Sequence, residues 1–79
     1  MPQDVGQELA KMAQRAANVT PHEMERLLKN AGWTLRRTSG GHALYTKAGA
    51  RRPIPVPLHP GAMKKGLVLD MIKTIRESL

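Results

Sequence analysis

The chain has 79 residues and a net charge of +7, with 13 Lys and Arg against 6 Asp and Glu. It contains no cysteine and no Phe, only one Trp and one Tyr, which excludes disulfides, thiolate metal sites and thiol catalysis and leaves the core to aliphatic and Met side chains. The length fits a single domain with a thin core; no apolar run approaches the roughly 20 residues of a membrane span and no signal-peptide pattern opens the chain, so the cytoplasm is the expected compartment.

Residues 3–17 have the spacing of an amphipathic helix, with Val5, Leu9, Met12 and Ala16 on one stripe. This segment balances Lys11 and Arg15 against Asp4 and Glu8, whereas residues 21–79 carry the whole positive excess. It therefore reads as an extension, residues 1–19, on a basic domain at 20–79. A second helix starts at Thr20-Pro21-His22-Glu23, where Thr20 caps, Pro21 takes the first helical position and Glu23 completes a capping box. Met24, Leu27, Leu28 and Ala31 form its apolar face, and Gly32 supplies a left-handed end.

From Trp33 the period becomes alternating, with Trp33, Leu35 and Arg37 on one face and Thr34, Arg36 and Thr38 on the other. Ser39-Gly40-Gly41 predicts a turn into a second strand, His42 to Lys47, and Ala48-Gly49-Ala50 predicts another turn. The third strand, 52–58, alternates Pro53, Pro55 and Pro57 with Ile54, Val56 and Leu58. The prolines remove N–H donors from one side of the strand only, so it must lie at a sheet edge with its aliphatic residues facing the core. Val68, Met71, Ile72, Ile75 and Leu79 mark the buried face of a last helix. The expected architecture is α+β: helix, three-stranded antiparallel sheet and helix, plus the extra N-terminal helix.

Such a basic domain attracts polyanions or an acidic protein. No P-loop or dinucleotide motif is present, and His22, His42 and His59 show no metal-ligand spacing; neither a metal nor a small-molecule cofactor is expected. His42 follows two glycines at a predicted hairpin, with Arg36, Arg37, Ser39, Tyr45 and Lys47 nearby in sequence. Cleaving RNA without a metal requires one group to deprotonate a 2′-hydroxyl and others to stabilise charge on phosphorus. Imidazole suits the first task, and cations or backbone N–H groups suit the second. Lys64 and Lys65 precede the last helix, where free N–H groups also favour phosphate.

The run Gly32-Trp33-Thr34-Leu35-Arg36-Arg37-Thr38-Ser39-Gly40-Gly41-His42-Ala43-Leu44-Tyr45 resembles the signature of the HicA toxin family. The resemblance continues through Ile54-Pro55-Val56-Pro57-Leu58-His59 and Lys64-Lys65-Gly66, covering 21–79 in order. It implies a fold like the double-stranded-RNA-binding domain, mRNA cleavage with His42 as the catalytic residue, and inhibition by a HicB-type antitoxin. On this reading Arg36, Arg37, Ser39, Gly40, Gly41, Lys47, His59, Lys64 and Lys65 form the RNA-binding set. Gly41 stands where the family usually has Ser, and residues 1–19 precede the point where the family usually begins. Two other readings use the same surface: an RNA-binding module without catalysis, and an element whose basic face binds only an acidic protein.

Overall fold

The computed structural model describes residues 4–79. The first helix, α1, runs Val5–Gln14. Asp4 caps it, its carboxylate accepting from the Gln7 N–H at 3.2 Å. The expected span of 3–17 is too long at the C-terminal end, and residue 3 lies outside the described residues. Arg15 leaves helical geometry, with φ −121° and ψ 35°, and the chain tightens into a single 3₁₀ turn at Ala16–Asn18. That turn brings buried Ala16 and Val19 under the helices.

Helix α2, Pro21–Asn30, opens with both halves of the capping box. The Thr20 hydroxyl accepts from the Glu23 N–H, and the Glu23 carboxylate accepts from the Thr20 N–H, each at 3.2 Å. At its far end Gly32 has φ +92°; its N–H donates to the Lys29 carbonyl and that of Trp33 to the Leu28 carbonyl. These two bonds satisfy carbonyls that would otherwise be stranded at the helix end, and they need the left-handed residue that glycine supplies. Arg15 joins α1 to α2 through a 2.6 Å ion pair with Glu23.

The Arg15 guanidinium holds the Glu23 carboxyl below its ordinary range, partly opposed by burial and helped by the Thr20 N–H. A depressed folded-state value stabilises the fold above the unfolded-state pKa, and that stabilisation is lost as pH falls through the folded value. Arg15→Ala should therefore make stability fall less steeply on acidification. Denaturant titrations at pH 7 and at about pH 3 check this, the two proteins converging at the lower value.

The sheet is an antiparallel meander in the order β1-β2-β3. Its strands are β1, Thr34–Ser39; β2, His42–Thr46; and β3, Ile54–Pro57. Helix α3, Lys65–Glu77, closes the chain. One sheet face, carrying Ala43, Tyr45, Ile54 and Val56, is buried beneath the helices together with Leu9, Met12, Met24, Leu28, Val68, Met71, Ile72 and Ile75. The N-terminal extension thus packs onto its own domain. Tyr45 is fully buried, and its hydroxyl donates to the Glu25 carboxylate at 2.6 Å.

Three expectations about faces need correction. A β-bulge at Arg36 pairs Leu35 with Tyr45 but Arg37 with Leu44, so Arg37 leaves the face of Trp33 and Leu35. The third strand is shorter than 52–58, and Leu58 is 41 % exposed because only its N–H, donated to Gly41 at 2.7 Å, continues the ladder. Leu79 is 64 % exposed because α3 ends at Glu77, two residues earlier. The proline strand does lie at an edge, paired only with β2.

Candidate RNA-cleaving face

Ser39-Gly40-Gly41-His42 is a two-residue hairpin, closed by the Ser39–His42 pair. Gly40 and Gly41 have φ values of +57° and +78°. Positive φ at both central residues is the signature of a type I′ turn, whose twist matches that of the flanking strands. Space around both glycines is open, so any side chain here meets backbone strain and no neighbour. Gly41→Ala should cost about 1–2 kcal/mol in a denaturant titration without altering the buried core. The same strain accompanies a serine at 41.

Cross-strand partners share a sheet face. Ser39, His42 and Pro57 therefore form one row, and Arg37, Leu44 and Pro55 the next, on the face opposite the helices. His42, Ser39, Arg37 and Pro55 are exposed, while Leu44 and Pro57 are half-buried. The His42 Nδ1 lies 3.2 Å from the Gly40 carbonyl. A carbonyl only accepts, so Nδ1 carries the proton in this contact, and in the neutral ring Nε2 is left as the free acceptor. The turn that presents His42 thus also selects which nitrogen can take a proton.

His59 lies just beyond β3 at the same end of the sheet, because Leu58 bonds Gly41 at the hairpin. Its Nδ1 contacts the Pro60 carbonyl at 3.1 Å. The C-terminal end of helix α3 is fixed at the opposite end of the sheet, where Lys47 Nζ donates to the Ser78 carbonyl at 2.9 Å. Midway along it, Arg52 bonds Asp70 and Thr74. Lys64 and Lys65, both exposed, stand at the start of this helix.

The structure places Arg37, Ser39, Gly40, Gly41 and His42 together at the hairpin end of the open sheet face, with His59 just beyond β3; Lys64 and Lys65 stand at the start of α3, in the helix layer on the other side of the sheet. Arg36 sits at the bulge in β1. Lys47 stands apart, at the far end and tied to α3. Tyr45 is not in the histidine's neighbourhood either, since it lies on the buried face against Glu25. Burial, and then the carboxylate partner, push the Tyr45 phenol well above its ordinary range, so it stays a proton-bearing donor within the packing. Alternation in the sequence puts Leu44 on the strand face of His42, but sequence reading did not bring Pro55 and Pro57 beside them. Their signal was present: a two-residue turn fixes the register, and alternation then puts them in adjacent rows.

Trp33 is buried and its indole N–H has no partner among the described residues, which places it in the core and away from any base. Among the described residues no group of three or more His, Asp or Glu is arranged to hold a metal ion. No helix among them is long and apolar enough to cross a membrane.

A family model described as the HicA toxin of bacterial toxin-antitoxin matches residues 21–76. The chain belongs to the HicA toxin family. Comparison with curated proteins and with solved structures found no match. The three helices and the antiparallel sheet agree with the double-stranded-RNA-binding-like fold of HicA. The HicA family is one of ribonuclease toxins that work in toxin–antitoxin systems, so an antitoxin is the implied partner of this chain. The matched span begins at the first residue of α2 and leaves α1 outside.

Proposed function

We propose that this HicA chain is a metal-independent endoribonuclease acting on mRNA in the cytoplasm, with residues 20–79 as the cleaving domain and His42 as its acid–base residue. Nε2 of His42 takes the proton of a 2′-hydroxyl; the resulting oxygen attacks the adjacent phosphorus, and the P–O5′ bond breaks as the 5′-oxygen takes that proton back from the His42 imidazolium. The products are a 2′,3′-cyclic phosphate and a 5′-hydroxyl. Positive charge from Arg36, Arg37, Lys64 and Lys65 stabilises the developing negative charge on phosphorus. The hairpin N–H groups and Ser39 complete the contact, and His59 borders it. Lys47, remote from this end, contributes to the overall attraction for RNA. A HicB-type antitoxin inhibits by covering the same basic face.

The observation that carries this reading is the exposed His42 ring with Nδ1 held on the Gly40 carbonyl and Nε2 free. Expression in bacteria tests it: induction should arrest growth, and co-expression of the antitoxin encoded beside it should restore growth. Unimpaired growth at a verified level of soluble chain would count against the toxin reading.

The non-catalytic alternative, an RNA-binding module, would keep the same basic face but no bond cleavage. The protein-only alternative predicts no affinity for mixed-sequence RNA even at low salt; binding that weakens steeply with added salt would eliminate it.

A further inference from the structure

The open sheet face is divided lengthwise by chemistry. On one side β1 offers Arg37 and Ser39; on the other β3 offers Pro55 and Pro57, and β2 runs between them with His42 and Leu44. Arg37 belongs to this face only because of the bulge at Arg36. The face carries one cation and no acid among these residues. Of the basic groups near the sheet, Arg52 is paired with Asp70 and Arg51 with Glu77 at the other end.

A ribose-phosphate backbone is matched by Arg37, Ser39 and the hairpin N–H groups, but by nothing on the proline side. Two proline rings and a half-buried leucine are instead matched by the flat, apolar face of a nucleobase. In a duplex the base faces are hidden in the stack, and A-form geometry holds the 2′-oxygen, phosphorus and 5′-oxygen away from the line that attack requires. An unpaired nucleotide meets both demands.

We infer that the proline side of this face, Pro55 and Pro57 with Leu44, is a base-binding ledge, and that the substrate is single-stranded RNA held with its base on β3 and its phosphate over β1. This rests on the ribonuclease reading and adds the class of substrate and the contact that selects it. The proline rings suit the purpose because the N positions of Pro55 and Pro57 point away from β2, so the ledge side chains can be changed without breaking the β2–β3 ladder.

The test uses His42→Ala protein, so that RNA stays intact, and three labelled probes of equal length: an unstructured oligoribonucleotide, the same strand with abasic sites, and a perfect duplex. The His42→Ala chain should bind the base-bearing strand about tenfold more tightly than the abasic one, and more tightly than the duplex. Adding Pro55→Ser and Pro57→Ser should abolish the preference for the base-bearing strand, with the salt dependence unchanged because no charge is removed. Adding Arg37→Ala instead should weaken all probes and lower the salt slope by about 1. Equal binding of base-bearing and abasic strands, a preference for the duplex, or serine variants that alter only antitoxin affinity would overturn the ledge while leaving the ribonuclease reading intact. Absence of any RNA binding at low salt would instead remove the reading on which it rests.

Discussion

His42→Ala should lower RNA cleavage by about 10²–10⁴-fold while leaving fold and RNA affinity near those of the parent chain. The side chain is exposed and its hydrogen bond is local, to the Gly40 carbonyl, so removing it opens no cavity. A circular dichroism spectrum and a denaturation midpoint unchanged from the parent would show that the loss is chemical. Growth arrest should disappear with it. His42→Gln tests the same site differently, keeping a polar side chain without an imidazole proton carrier, and should be equally inactive. His59→Ala, by contrast, should affect binding more than turnover, since His59 lies beyond the end of β3 and outside the row shared by Ser39, His42 and Pro57.

Leu9→Ala should destabilise the protein by about 2–5 kcal/mol, although Leu9 lies outside the span that matches the family. Leu9 is completely buried and belongs to the same core as Met24, Val68 and Ile75. A domain of this size has a total stability of only about 4–12 kcal/mol, so one such cavity consumes a large part of it. Denaturant titration measures the loss directly. Cleavage per folded molecule should be unchanged, because α1 packs among the helices on the sheet face opposite His42. A Leu9→Ala chain of parental stability would mean that α1 is dispensable to the core.

The start and end of α2, the two glycine turns and the edge position of the proline strand were legible because each depends on local backbone chemistry. Thr20 with Glu23, Gly32, Gly40 with Gly41, and the missing donors of Pro53, Pro55 and Pro57 act within a few residues. The face of Arg37 was not legible, since a bulge answers to the pairing of two strands and leaves no mark in simple alternation. Lys47 illustrates the same limit. Its charge reads as free in the sequence, yet its ammonium donates to a carbonyl 31 residues away. Thr74 and Asp70 likewise became partners of Arg52 only because the folded chain brings α3 beside the residues that precede β3. His42 stood out because a two-residue turn fixes both its exposure and the face it shares; the ledge beside it needed the register of the third strand as well.

The chemistry assigned to His42 is tested most directly by the ends of the RNA fragments. Purified chain should cleave an unstructured RNA in the presence of excess EDTA, leaving 2′,3′-cyclic phosphate and 5′-hydroxyl termini. Fragments ending in 3′-hydroxyl and 5′-phosphate, formed only when a divalent cation is supplied, would contradict it.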